Sequence, residues 1–171
     1  MIRAGILREN GRQMLPGYPT RLLDILWAAF GATAALTVAL QIVAGGASPF
    51  LLFSLGGSTV FLFALTGSES AQPRALVGGH LGGAVIGILC YQAFGDGIWV
   101  SVTAVVLTMA FMMATRTIHP PAGANPLIMV HHKAGLSSLV NPVGAGILVL
   151  FLAAVAWSRI RPGVRYPVRW W

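Results

Sequence analysis

The chain has 171 residues, of which 56% are hydrophobic and only 9% are charged, and its mean hydropathy is +0.78. A soluble globular chain carries about 25% charged residues, so this composition excludes a soluble domain and indicates a small membrane protein. The net charge of +7 does not indicate nucleic-acid binding, because eight of the eleven basic residues flank the apolar body. These eight are Arg3, Arg8, Arg12, Arg21, Arg159, Arg161, Arg165 and Arg169.

Four stretches are long and apolar enough to cross a bilayer, whose hydrocarbon core of about 30 Å needs about 20 helical residues. They are residues 22–43, 74–94, 98–115 and 139–157. Trp27, Trp99 and Trp157 lie near the ends of these stretches, where tryptophan prefers the membrane–water interface. The sequence therefore predicts an all-α membrane protein with four transmembrane helices.

Two further apolar segments are irregular. Residues 49–65 are interrupted at their centre by the sequence GGST at 56–59, and residues 119–130 are too short to span and begin with HPP. Irregular backbone is tolerated at membrane depth only where protein buries it or where it lines a wet cavity, so both segments are predicted to be broken or re-entrant. Each half of the chain then reads span, broken element, link and span, which suggests an internal duplication with two parallel units.

The distribution of charge predicts the topology. With four spans and both tails in the cytoplasm, only Arg74, Arg116 and Lys133 lie outside. This gives a cytoplasmic tail at 1–20, a transmembrane domain at 21–158 and a basic, aromatic cytoplasmic tail at 159–171 that anchors at the lipid interface. A bacterial-type inner membrane is the expected location. Because four helices leave little room for a pore, a homo-oligomer is expected.

An ordered set of short motifs carries a family resemblance. After Thr115 and Thr117 comes the run HPPAGA at 119–124, preceded in the chain by GGST at 56–59, AQPR at 71–74 and GGH at 78–80. Over about residues 18–159 the chain resembles the HPP family of integral membrane proteins. The resemblance implies a four-helix membrane domain and, from plant and cyanobacterial relatives, nitrite transport. The link SESA at 68–71 departs from the more apolar, proline-bearing stretch expected there.

The two irregular segments provide candidate anion-binding groups. Pro120 and Pro121 suit the first turn of a helix, so a short helix over about 122–130 would present free N–H groups at its N-terminus. Ser58 and Thr59 are predicted to cap a second short helix, and two such N-termini near the midplane form an anion site. Tight packing between helices is the alternative. The candidate residues are Gly57, Ser58, Thr59, Arg74, His80, His119, Pro120, Pro121, Gly123 and Asn125.

The histidines and the outer arginines each have two interpretations. His119 is placed at the mouth of the proposed helix, where it binds an anion or exchanges a proton with it, or else it braces the loop. His80 is a site residue or makes a satisfied interhelical hydrogen bond. Arg74 and Arg116 attract anions into a vestibule or are arginines whose guanidinium groups extend to the membrane interface.

Gly79, Gly83 and Gly87 repeat every four residues, a stripe that predicts close approach of another helix or subunit. The segment 131–133 (HHK) is interpreted as a solvated turn, and no metal site, cofactor or catalytic residue is expected. Motifs typical of enzymes are lacking, and the chain has only four acidic residues. The leading functional hypothesis is permeation of a small inorganic anion such as nitrite. The alternative is a membrane scaffold or partner subunit.

Overall fold

The computed structural model of the chain describes residues 7–9, 12–14, 22–43, 49–160 and 165–170. The α-helices are α1 (Leu22–Val43), α2 (Pro49–Thr59), α3 (Pro73–Phe94), α4 (Ile98–Thr115), α5 (Asn125–His131) and α6 (Ala145–Ile160). Short 3-10 helices cover Glu69–Ala71, Pro120–Ala124 and Leu136–Leu139, and π-helical turns cover Val60–Ala64 and Val140–Gly144. Two three-residue strands, β1 (Leu7–Glu9) and β2 (Arg12–Met14), pair antiparallel ahead of α1.

Four helices are long and apolar enough to cross a membrane, which confirms the predicted all-α membrane fold. They are Leu22–Val43, Pro73–Phe94, Ile98–Thr115 and Leu136–Ile160, the last including the turns that precede α6. Half of the most apolar window of α3 is buried inside the protein, against 17% for α1 and for α4. The helix α3 is therefore central, and α1 and α4 present much of their apolar surface to lipid.

The helix α2 is continuous through the sequence GGST, which corrects the predicted break. Thr59 has helical angles (φ −62°, ψ −32°), and α2 passes directly into the π-helical turn Val60–Ala64. The hydroxyl of Thr59 donates to the carbonyl of Gly56 (2.7 Å) within the same helix, and the hydroxyl of Ser58 lies 2.9 Å from the carbonyl of Ser54. Ser58 and Thr59 therefore lie inside a continuous helix, and the prediction that they cap a second helix is wrong.

The HPP segment, residues 119–131, forms the short helix that its prolines predict. His119 is extended (φ −131°, ψ 99°), the 3-10 turn begins at Pro120, and its last residue, Ala124, leads into α5 with helical angles. Proline suits this first turn because its missing N–H has no partner there in any case. The helix begins two residues earlier than the sequence analysis placed it.

The HPP segment runs beside α3 and in the same direction. A Cβ atom on Gly79 would lie 3.0 Å from the Cβ of His119, and one on Gly87 would lie 2.7 Å from the Cα of Pro126. Further along, Val130 packs in one cluster with Cys90. The glycine stripe therefore faces a segment of the same chain at close range, and this segment does not turn back toward its starting end.

One end of the molecule collects the start of α3, the end of α4 and the C-terminal residues. Arg74 donates to the carbonyl of Thr115 (2.7 Å), and the hydroxyl of Tyr166 donates to the carbonyl of Ala71 (2.7 Å). We call this the basic end, and we call residues 66–72 the link and residues 165–170 the tail. The predicted four-span topology placed the link and the tail on opposite sides of the membrane, and these contacts show that it is wrong.

The remaining segments alternate in direction between the basic end and the opposite end. Trp27, near the start of α1, stacks on Trp157, near the end of α6, with ring centroids 4.3 Å apart. On α2, Ser54 bonds Asn125 and Ser58 bonds His119, so α2 runs antiparallel to the HPP segment. Successive segments therefore run in alternating directions between the two ends, in the order α1, α2, α3, α4, HPP segment and α6. Residues 49–65 and the HPP segment do not return to the end where they begin, so the prediction that they are re-entrant is wrong.

This order also corrects the predicted parallel duplication. The first unit, α1–α2–α3, begins at the basic end, whereas the second unit, α4–HPP segment–α6, begins at the opposite end. The two three-segment units therefore run in opposite directions and are not parallel.

Small residues hold α1 and α6 together beside α2. Ala35 and Ala39 of α1 belong to one buried cluster with Leu55 of α2 and with Leu150 and Ala154 of α6. Alanines let helix backbones approach closely where lipid supplies no hydrophobic driving force between helices. This packing and the glycine face of α3 bring the polar residues of α2 and the HPP segment together.

Candidate functional site

Five polar side chains meet beside the middle of α3, and each is at most 2% exposed. We call them the polar cluster: Ser54 and Ser58 of α2, His80 of α3, and His119 and Asn125 of the HPP segment. The two serines lie four residues apart, so they share one face of α2 and point at the same neighbours. Polar side chains buried in a membrane protein are costly and mark functional sites by default.

His119 is fully buried and bonded at both ring nitrogens. Its Nδ1 lies 2.6 Å from the carbonyl oxygen of Ser70, and its Nε2 lies 2.9 Å from the hydroxyl of Ser58. A carbonyl can only accept, so Nδ1 carries the hydrogen and Nε2 accepts from Ser58. His119 lies at the start of the HPP helix, as predicted, and its ring braces the link from inside the protein, which was the alternative interpretation.

His80 and Asn125 form the second half of the polar cluster. The amide nitrogen of Asn125 lies 2.9 Å from the carbonyl of His80 and 3.0 Å from its Nδ1. Because the carbonyl can only accept, it fixes the amide orientation, and Nδ1 of His80 is an acceptor. Its Nε2 therefore carries the hydrogen and donates to Ser58 at 2.8 Å. The amide oxygen of Asn125 accepts from Ser54 at 2.7 Å.

The other candidate residues lie outside the polar cluster. Gly57 allows close packing, since a Cβ there would lie 3.1 Å from Pro121. A Cβ on Gly123 would meet nothing within 4 Å, and Pro120 is exposed. The hydroxyl of Thr59 remains within α2. The site is therefore formed by side chains, and not by the two helix N-termini that were predicted. Its two serines lie in the middle of α2.

Two members of the site were not predicted. Ser54 lies one helical turn before Ser58. If α2 had been predicted as one continuous helix, Ser54 would have been placed on the same face as Ser58. The carbonyl of Ser70 has no side-chain signal in the sequence. Within the described residues, no three His, Cys, Asp or Glu side chains converge as metal ligands.

A cavity of about 490 Å³ opens at the basic end, and we call it the basic cavity. Its walls are formed by Glu69, Gln72, Arg74, Ala75, Arg116, Arg169 and Trp170. Glu69 pairs with Arg169 at 3.1 Å, so three guanidinium groups face one carboxylate and the net charge of the walls is positive. The link forms one wall, and its Ser70 carbonyl holds His119. Arg74 and Arg116 therefore line a vestibule. It lies at the same end as the tail, whereas the four-span topology placed these arginines and the tail on opposite sides of the membrane.

The tail is fixed to the link by several hydrogen bonds. Tyr166 is fully buried, and burial raises the pKa of its phenol, which keeps the hydroxyl protonated as a donor to Ala71. The side-chain oxygen of Gln72 accepts from the backbone N–H groups of Val168 (2.9 Å) and Arg169 (3.2 Å). The tail, predicted to be a lipid anchor, forms a wall of the basic cavity through Arg169 and Trp170.

The polar cluster is closed toward the opposite end. A crevice there is lined by Ser54, Leu55, His80, Asn125, Pro142 and Val143, and it leaves no space for a water molecule. Toward the basic end, His119 bonds the carbonyl of Ser70 in the link, and Glu69 and Gln72 of the link line the basic cavity. The polar cluster therefore lies between an open vestibule on one side and a sealed crevice on the other.

Two known proteins are similar to part of this chain. A transmembrane protein of Dictyostelium discoideum is 35% identical over 130 residues, which cover 71% of this chain and 42% of that protein. A second transmembrane protein of the same organism is 31% identical over 129 residues, which cover 71% of this chain and 45% of that protein. The chain thus spans less than half the length of these relatives, and no solved structure matches it.

The family described as HPP, transmembrane region, matches residues 18–167, which include all six segments and the first half of the described tail. The motif HPP at 119–121 lies where His119 joins the polar cluster and the prolines start the helix beside α3. The chain belongs to the HPP transmembrane-region family.

Proposed function

We propose that this chain transports a small inorganic anion across the membrane, with nitrite as the substrate that the family resemblance implies. The observation that carries the proposal is the position of the basic cavity. Three arginines surround it, and its wall is the link, behind which the buried polar cluster lies. A positively charged vestibule that leads to buried polar groups is the arrangement that an anion pathway through an apolar protein requires.

Electrostatics favours anions over cations in this cavity. Arg74 is half-buried and donates to the carbonyl of Thr115, while Arg116 and Arg169 are more exposed. Clefts with walls of one charge sign and low dielectric constant raise the local concentration of the opposite ion. Beyond the cavity, the closed polar cluster supports a carrier that opens its two sides in turn, and it does not support an open channel.

The charge distribution supports an orientation with the basic end in the cytoplasm. Counted by chain order, the N-terminal arginines precede α1 and the C-terminal arginines follow α6, and both of these helix ends lie at the basic end. With Arg74 and Arg116, ten of the eleven basic residues belong to this side, and Lys133 belongs to the other. This excess of basic residues on one side is larger than in the four-span topology, and it again favours a cytoplasmic location for both termini.

A scaffold or partner subunit is the second candidate, and one observation favours it. Each ring nitrogen and amide group of the polar cluster already has a partner inside the protein. Complete satisfaction of this kind is what helix packing alone would require. Transport differs in that it needs these bonds to exchange with a passing ion.

The test is uptake of nitrite, formate and nitrate into proteoliposomes that contain the purified protein. Arg116→Gln should raise the KM for the transported anion by about tenfold, because it removes one charge from the vestibule. Added salt should weaken wild-type uptake more than uptake by this variant. Arg159→Gln is the matched control, since Arg159 is exposed on α6 outside the cavity wall. No wild-type uptake of any small anion would favour the scaffold.

A further inference from the structure

We infer that the polar cluster binds one transferable proton between His80 and His119, and that transport is therefore proton–anion symport with one proton per monovalent anion. The anion half of this inference rests on the proposed function. The proton half comes from the hydrogen bonds, because Ser58 lies between the two rings and has one hydrogen but two acceptors within reach. These acceptors are Nε2 of His119 and the carbonyl of Ser54, both at 2.9 Å.

When both imidazole rings are neutral, each hydrogen on His119, Ser58 and His80 is donated to one acceptor. His119 donates from Nδ1 to the link carbonyl, and Ser58 donates to Nε2 of His119. His80 donates from Nε2 to the oxygen of Ser58 and accepts from Asn125 at Nδ1. In this state the carbonyl of Ser54 accepts no bond from the hydroxyl of Ser58.

One added proton leaves every bond satisfied without movement of a heavy atom. The hydroxyl of Ser58 rotates to the carbonyl of Ser54, and the new proton binds Nε2 of His119, which then donates to the oxygen of Ser58. That oxygen accepts from both rings at once, as its two lone pairs allow. The proton comes from a hydronium ion in the basic cavity. One O–H bond of the hydronium ion breaks, one N–H bond forms on His119, a water molecule is left, and no oxidation state changes. A second proton could bind only Nδ1 of His80, which already accepts a hydrogen bond from Asn125.

Among the described residues, no carboxylate contacts the resulting imidazolium. The groups that face the two rings are the hydroxyls of Ser54 and Ser58, the Ser70 carbonyl, the Asn125 amide and the Phe61 ring. The charged groups near the link are Glu69, Arg74, Arg116 and Arg169, and the single carboxylate among them is exposed and paired with Arg169. A buried cation without a partner is costly, so the anion from the cavity supplies the charge. Neutrality then fixes the ratio at one to one.

The test measures nitrite uptake and internal pH together in proteoliposomes, with the passage of undissociated acid through protein-free liposomes subtracted. We expect an inward acid gradient to drive uptake, internal acidification in proportion to nitrite, and a rate that clamping of the membrane potential does not change. Ser58→Ala should lower gradient-driven uptake by about a hundredfold, because it removes the oxygen that accepts from both rings when the added proton is bound. Thr59→Ala is the matched control, since its hydroxyl stays within α2, and it should retain the wild-type rate.

Each other outcome contradicts a separate statement. Uptake that follows the membrane potential and ignores the pH gradient would overturn symport but leave anion transport intact. Absence of wild-type uptake would instead contradict the proposed function. If Ser58→Ala does not fold, His119→Gln replaces it, because the amide can still bond the link but cannot hold a proton. Gradient-driven uptake that persists in His119→Gln would also overturn the inference.

Discussion

The imidazole rings of His80 and His119 lie 5.0 Å apart between centroids, and both direct Nε2 at the single hydroxyl of Ser58. The rings belong to different elements, and each has a second partner that fixes its hydrogens. For His119 that partner is a carbonyl, and for His80 it is an amide nitrogen. The two histidines therefore carry their hydrogens on different ring nitrogens.

This assignment predicts the nitrogen spectrum of the two rings. In protein labelled with 15N-histidine at neutral pH, His119 should show a protonated Nδ1 and His80 a protonated Nε2. Single His80→Gln and His119→Gln variants assign the two sets of signals. The exposed pair at 131–132 provides internal reference signals. The same tautomer in both buried rings would contradict the hydrogen-bond arrangement.

Labelling of engineered cysteines tests the alternating topology. In a background with Cys90→Ala, we expect Gly67→Cys and Lys133→Cys to react with an impermeant thiol reagent from opposite sides of the membrane. Gly67 is exposed in the link at the basic end, and Lys133 is exposed after α5 at the opposite end. The four-span topology with re-entrant elements places both positions outside, so labelling of both from the same side would support it.

Substitution of a stripe glycine should separate α3 from the HPP segment. In Gly83→Leu, even the first side-chain atom would lie 3.0 Å from the carbonyl of Ala122 and 3.1 Å from Thr108. Overpacking of this kind costs about 1–3 kcal/mol or more, so folded yield and melting temperature should fall. Gly56→Leu is the matched control, because a Cβ there meets nothing within 4 Å. Equal losses in both variants would mean that the stripe does not determine the packing.

Removal of one hydroxyl should loosen the tail. Tyr166→Phe keeps the buried ring but leaves the carbonyl of Ala71 without its donor, which costs about 1–3 kcal/mol. Limited proteolysis should then cut the tail faster than in the wild type. Tyr91→Phe, at a half-exposed ring on α3, serves as the control and should change little. Unchanged proteolysis in Tyr166→Phe would mean that the tail is held by its other contacts.

The long helices were predictable because their signal is local. About 20 consecutive apolar residues suffice to identify a span, and two prolines suffice to start the HPP helix. The same local logic failed at the sequence GGST. Glycine and serine weaken helices in water, but in an apolar surrounding no water competes for the backbone, and the hydroxyl of Thr59 bonds within its own helix.

The topology and the burial of His119 could not be predicted from local patterns. The contact that places the tail on the link joins residues 95 positions apart, Tyr166 and Ala71, and the acceptor is a backbone atom. The partner of Nδ1 in His119 is likewise the carbonyl of Ser70, 49 positions away. Every residue has a backbone carbonyl, so no sequence motif indicates which carbonyl will accept a given hydrogen bond. The candidate residues Ser58, His80, His119 and Asn125 were found, but their mutual geometry was not.

The glycine face of α3 limits how the protein can change shape. Where Gly87 meets Pro126, backbone lies against backbone, and no side chain is available to adopt another rotamer. Such a contact cannot slide gradually, because close-packed surfaces have few alternative arrangements. We therefore expect α3 and the HPP segment to move as one rigid body. Any displacement that exposes the polar cluster would occur along α2 and α6, where flexible side chains such as Leu55 against Gly146 can yield.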